Sequence, residues 1–260
     1  MLIALLLLQS IATTADRPLP TLNELQFEEC ITLARTDPAS AVMQAGEWAQ
    51  EKGDYLATAC HALALANDFR FAEAAPLFID AAQGADASAD QRAARFWAQA
   101  GNAAIAADLP DEALVSLDNA LKSSSLGNPE RADIEVDRAR SLVALDRETD
   151  AVSALADARR HSPENATAWL LSATLARRMD NLPDALGFIQ TAATLSPRDP
   201  ALALEAGNIA AAAGDDASAR KQWEQVIAIA PDSRQATTAQ KQLAAFGVNA
   251  TPPATEAQSR

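Results

Sequence analysis

The sequence predicts an all-α chain built from stacked helical pairs. Composition gives the first reason. Roughly a quarter of the residues are alanine, far above ordinary usage, whereas Tyr occurs once and Gly nine times in 260 residues. A sandwich or barrel needs β-branched and aromatic strands and frequent glycine turns; close helix packing needs small side chains. Hydropathy gives the second: 49% of the chain is hydrophobic, enough for a core and too much for wholesale disorder. Periodicity gives the third. Pro129, Pro163, Pro197 and Pro231 recur at intervals of 34 residues, each after one helical run and before the next.

At the N-terminus, Met1-Leu2-Ile3-Ala4-Leu5-Leu6-Leu7-Leu8 is an apolar run far short of the roughly 20 residues that span a bilayer. Thr13-Thr14-Ala15 places small residues where a signal peptidase reads, and Asp16-Arg17-Pro18 opens a polar stretch. This is the pattern of a secretory signal over residues 1–15, although no Lys or Arg precedes the run. The expectation is export to a bacterial periplasm. The alternative is a cytoplasmic protein whose first helix is buried, but the unbroken run has no polar face. Cys30 follows Phe27-Glu28-Glu29 and is no lipid-attachment site.

Residues 16–54 read as a helical pair, near 22–35 and 38–52, meeting at Asp37-Pro38. Cys30 and Cys60 are the chain's two cysteines. In an exported protein they are candidates for a disulfide, whose closure restricts the unfolded chain by roughly 3.5 kcal/mol. Two buried thiols on adjacent helices, or a thiol-dependent redox pair, are the alternatives. His61 beside Cys60 does not make a thiolate–imidazole pair, because neighbours on a helix do not face each other.

The repeat follows. Ala151, Ala185 and Ala219 are spaced by 34 residues, as are Leu155, Ile189 and Trp223, and Ala158, Ala192 and Val226. Units fall near 132–165, 166–199 and 200–233, with longer-exit units near 94–131 and 55–93. The last complete unit carries Ala206-Gly207, Gly214-Asp215, Ala219, Trp223, Val226 and Pro231. This pattern resembles the tetratricopeptide repeat (TPR), a helix-turn-helix unit of 34 residues. The resemblance covers roughly residues 55–233 and implies a right-handed α-solenoid. Residues 234–247 form one more amphipathic helix that caps the array, closed by Gly247, and 248–260 reads as a disordered tail.

Chemistry is sparse. No Gly-x-Ser-x-Gly, His-Glu-x-x-His or phosphate loop occurs, and no histidine or cysteine spacing suits a metal. The expectation is a non-enzyme without metal or cofactor. A net charge of -14 repels phosphate backbones and anionic headgroups, so neither nucleic acid nor a membrane surface is an expected partner. Asn165-Ala166-Thr167 and Asn249-Ala250-Thr251 match the glycosylation acceptor pattern without further support.

The TPR resemblance implies that the first helix of each unit lines a concave face that binds partner proteins or peptides. That maps candidate partner-binding positions to Arg95, Gln99 and Asn102, then Asp133, Asp137 and Arg140. In the later units it maps them to Thr174, Arg177 and Arg178, then Glu205 and Asn208. The family's terminal-carboxylate clamp is not expected, because Ala98, Asp137, Leu171 and Glu205 stand where it needs basic residues. Self-association by end-to-end stacking is a further possibility the resemblance leaves open.

Overall fold

A computed structural model describes residues 19–249 apart from Gly53. The expected signal at 1–15 and the tail from residue 250 onward lie outside the described residues. The described chain is thirteen helices: α1 Leu22–Thr36, α2 Pro38–Lys52, α3 Tyr55–Asn67, α4 Phe71–Ala87, α5 Ala93–Ala106, α6 Pro110–Leu121 and α7 Asn128–Ala144. They continue as α8 Glu148–His161, α9 Ala166–Arg178, α10 Leu182–Leu195, α11 Pro200–Ala212, α12 Asp216–Ile229 and α13 Arg234–Asn249. Among the described residues there is no strand, and no helix is long and apolar enough to cross a membrane.

Local chemistry sets the boundaries. Thr21 and Glu24 form a capping box at α1. Asn165, Asn181, Asp199 and Asp215 accept backbone N–H bonds at the starts of α9 to α12. Pro38 and Pro110 are the first residues of α2 and α6, where a missing N–H costs nothing. The turn inside each later pair is a single left-handed residue: Asp108, Asp146, Asp180 and Gly214, at φ 61°, 55°, 58° and 75°. The next N–H then reaches back five residues to close the helix. Leu109 donates to Ala104, Arg147 to Leu142, Asn181 to Ala176 and Asp215 to Ala210, at 2.8–2.9 Å.

Packing turns these pairs into an α-solenoid. Odd-numbered helices touch each other along one side: α1 with α3, α5 with α7, α7 with α9, α9 with α11, and α11 with the capping helix α13. Even-numbered helices touch their chain neighbours and form the outer layer. The 34-spaced series Ala151/Ala185/Ala219, Leu155/Ile189/Trp223 and Ala158/Ala192/Val226 are all buried in the seams. Small residues allow the approach. A Cβ on Gly101 would sit 2.6 Å from Leu117, and one on Gly207 would sit 2.5 Å from Trp223 Cδ1. Each seam is shared only with neighbouring units, as in repeat proteins generally.

Two details differ from the sequence reading. Helix α13 continues through Gly247 to Asn249, so Gly247 does not close it. Glycine weakens a helix by about 1 kcal/mol but ends one only where a left-handed turn is imposed. Helix α7 starts at Asn128, ahead of the expected unit start at 132, because Gly127 and Glu130 build its N-terminal cap. At the other end of the chain, Cys30 and Cys60 form a disulfide that ties α1 to α3, with Cα atoms 6.0 Å apart.

Candidate functional site: the inner groove

The inner layer carries a notch between α7 and α9. These helices touch lightly, with α8 behind them. Ala139, Val143, Leu155, Leu171 and Leu175 line an apolar notch of about 180 Å³. Arg140 on α7 and Arg178 on α9 flank it, with Thr174 between. Arg140 is held by Asp137 one turn earlier, and Arg178 lies 3.8 Å from Glu148 at the start of α8. Both arginines remain exposed, so their ion pairs are of the weak, screened kind. Burial pushes the Asp137 carboxyl up from its ordinary value, opposed by Arg140. The notch can therefore hold an apolar side chain while two cations meet acceptors beside it.

The remaining sequence-mapped positions serve differently. Arg177 turns into the seam between α9 and α11, where it makes a two-point ion pair with Glu205. Asn208 Nδ2 also donates to Glu205, at 3.2 Å, and Trp223 Nε1 donates to Asn208 Oδ1 at 3.3 Å. Glu205 is buried, so this set is a framework linking α9, α11 and α12. Arg95 bridges to Glu130 at 2.8 Å across adjacent units, and Asp133 accepts from Asn165 Nδ2 at 2.8 Å. Gln99 and Asn102 stand exposed on α5. The structure thus brings Arg140, Thr174 and Arg178 together around one notch and places the other positions outside it.

Sequence mapping passed over the notch floor. Leu171 was visible as a departure from the basic residues of a carboxylate clamp, and that departure is what makes the floor apolar. Val143 carried no such signal. On the same helix as Arg140, Glu135 is buried and its Oε2 has no hydrogen-bond partner among the described residues. Burial drives its pKa up to about 7, against the pull of Arg138 at 3.7 Å.

No protein-family model matches the chain, and no curated protein matches it. Solved structures do. PilW, described as a widely conserved type IV pilus biogenesis factor, aligns at TM-score 0.71 and 16% identity, covering 85% of this chain and 100% of PilW. PilF of Pseudomonas aeruginosa aligns at TM-score 0.65 and 16% identity, covering 85% of this chain and 99% of PilF. YrrB, described as a TPR protein with an unusual peptide-binding site, aligns at TM-score 0.54 and 21% identity, covering 77% of this chain and 98% of YrrB. The fold is the TPR α-solenoid.

Proposed function

We propose that this chain, a solenoid of TPR fold, is a non-catalytic scaffold that binds extended segments of partner proteins in its inner groove, in a bacterial periplasm. The observation that carries the reading is the α7–α9 notch, an apolar floor of Val143 and Leu171 between the exposed guanidinia of Arg140 and Arg178. A partner segment would seat one apolar side chain there and offer acceptors to either arginine. Apolar anchors in pockets dominate such interfaces. YrrB's description as a peptide binder and PilW's as a pilus biogenesis factor favour a protein ligand in envelope assembly, by analogy of fold.

Two features support the compartment. Residues 1–15 have the pattern of a secretory signal, and a Cys30–Cys60 bond suits an oxidising environment. Fusing residues 1–40 to alkaline phosphatase tests export directly, since the reporter is active only outside the cytoplasm. Affinity capture from periplasmic extract with residues 16–260 tests the groove. A partner retained by the native chain and lost by Arg140→Glu/Arg178→Glu is the expected result. Equal retention by both would move the binding surface elsewhere.

A further inference from the structure

The outer layer holds a second cleft, between α8 and α10 and floored by α9. Leu155, Leu175 and Ala176 form its buried base, with Met179 and Phe188 at the rim, around a volume of about 320 Å³. Arg159 forms one wall. One and two repeats later the same register holds Ala193 and Ile227, so this unit substitutes a cation for a small or apolar residue.

That cation is poorly provided for. Its guanidinium lies 4.4 Å from the Phe188 ring centroid and 5.1 Å from that of Trp169. One nitrogen, Nη1, donates to Ser172 Oγ. A guanidinium has five N–H donors, and among the described residues no carboxylate comes within 4.0 Å of this one. Asp184 on the facing wall is held instead by Asn181 Nδ2 at 2.8 Å. The other half-buried arginines are all satisfied. Arg92, Arg138 and Arg177 have carboxylate partners, and Arg131 donates to the carbonyls of Leu121 and Ser123. Burial of Arg159 lowers its pKa from the ordinary value, only partly offset by Asp184 beyond contact distance, and a carboxylate in direct contact would reverse that cost.

We propose that the α8–α10 cleft docks an extended acidic segment of a partner protein, its Asp or Glu carboxylate on Arg159 and an adjacent apolar side chain on the Leu155–Leu175–Ala176 base. The stacked rings hold the guanidinium fork in place, so two-point pairing with a carboxylate needs little reorganisation. This cleft opens on the outer layer, with Leu155 and Leu175 forming a wall shared with the inner notch.

The test is a titration of the full chain, carrying 13C-methyl methionine, with two capped tripeptides, acetyl-Leu-Glu-Leu-amide and acetyl-Leu-Gln-Leu-amide. The expected result is a saturable shift of the Met179 methyl resonance, with the Glu peptide binding about tenfold or more tightly than the Gln peptide, as a charged hydrogen bond implies. Arg159→Leu should erase that preference and Arg198→Gln, at an exposed arginine outside both clefts, should preserve it. Equal binding of the two peptides, no saturable shift at Met179, or an undiminished preference in Arg159→Leu would overturn the proposal. If Arg159→Leu fails to fold, the Glu-against-Gln comparison on the native chain decides alone.

Discussion

Arg177 on α9 and Glu205 on α11 form a two-point ion pair across a repeat seam, Nε to Oε1 at 2.7 Å and Nη2 to Oε2 at 3.3 Å, with Glu205 buried. Removing one member of a buried pair leaves a charge without its partner, which costs about 3–5 kcal/mol. Asn208 remains to hold one Glu205 oxygen, so Arg177→Met should lose stability at the lower end of that range. Arg178→Met, at an exposed site, should change it by about 0.5 kcal/mol or less. Urea midpoints of the two variants check the contrast. The double variant Arg177→Met/Glu205→Met should recover much of the loss, because matched apolar replacement of a buried pair is often neutral.

The contribution of Glu135 to stability should fall as pH rises from about 4.5 to about 7. The Glu135 carboxyl is raised from 4.5 to about 7 by burial, so the folded state prefers it protonated. Below about pH 4.5 both folded and unfolded chains hold the proton and there is no penalty. Between there and pH 7 the unfolded chain ionises first, and the folded state loses ground, by an amount on the order of 3 kcal/mol. Asp137, also raised by burial, acts in the same sense, and His61, lowered by burial, acts in the opposite one. The difference between native protein and Glu135→Gln therefore isolates Glu135. Urea unfolding at pH 5 and pH 8 should show the variant gaining relative to native at pH 8.

The Cys30–Cys60 bond should stabilise one end of the solenoid only. Its sequence separation of 30 residues restricts the unfolded chain by about 3–4 kcal/mol. Contacts in a repeat array are local. In Cys30→Ala/Cys60→Ala, hydrogen exchange should accelerate in α1 and α2 and remain unchanged in α9 to α12.

Two glycines should respond oppositely to alanine. In Gly207→Ala the new methyl meets the Trp223 indole, which is itself buried, and overpacking of this kind costs about 1–3 kcal/mol. At Gly187, in the middle of α10, an added Cβ meets nothing within 4 Å. Gly187→Ala should then stabilise by about 0.5–1 kcal/mol through helix propensity. Thermal melts of the two variants read the sign.

The repeat seams were legible because they rest on residue size at a fixed period. Ala151, Ala185 and Ala219 could only be close-approach positions, and Gly214-Asp215 and Asp180-Asn181 marked the turns. The groove was harder to read. Family mapping places Arg177 and Arg178 side by side, yet on α9 one points into the seam toward Glu205 and the other to the surface. Which of two adjacent arginines is structural depends on a carboxylate 28 residues away, and spacing alone does not reveal it. Arg159 was hidden for the same reason, since its rings and its hydroxyl come from α9 and α10.

The central claim, that partners bind in the α7–α9 groove, is tested most directly by site-specific photo-crosslinking in cells. A photoreactive phenylalanine analogue replaces Thr174 in the notch, or Val115, which is exposed on α6, as the control. A discrete light-dependent adduct from position 174 and none from position 115 is the predicted result. No adduct from 174, or the same adduct from both positions, would contradict the account.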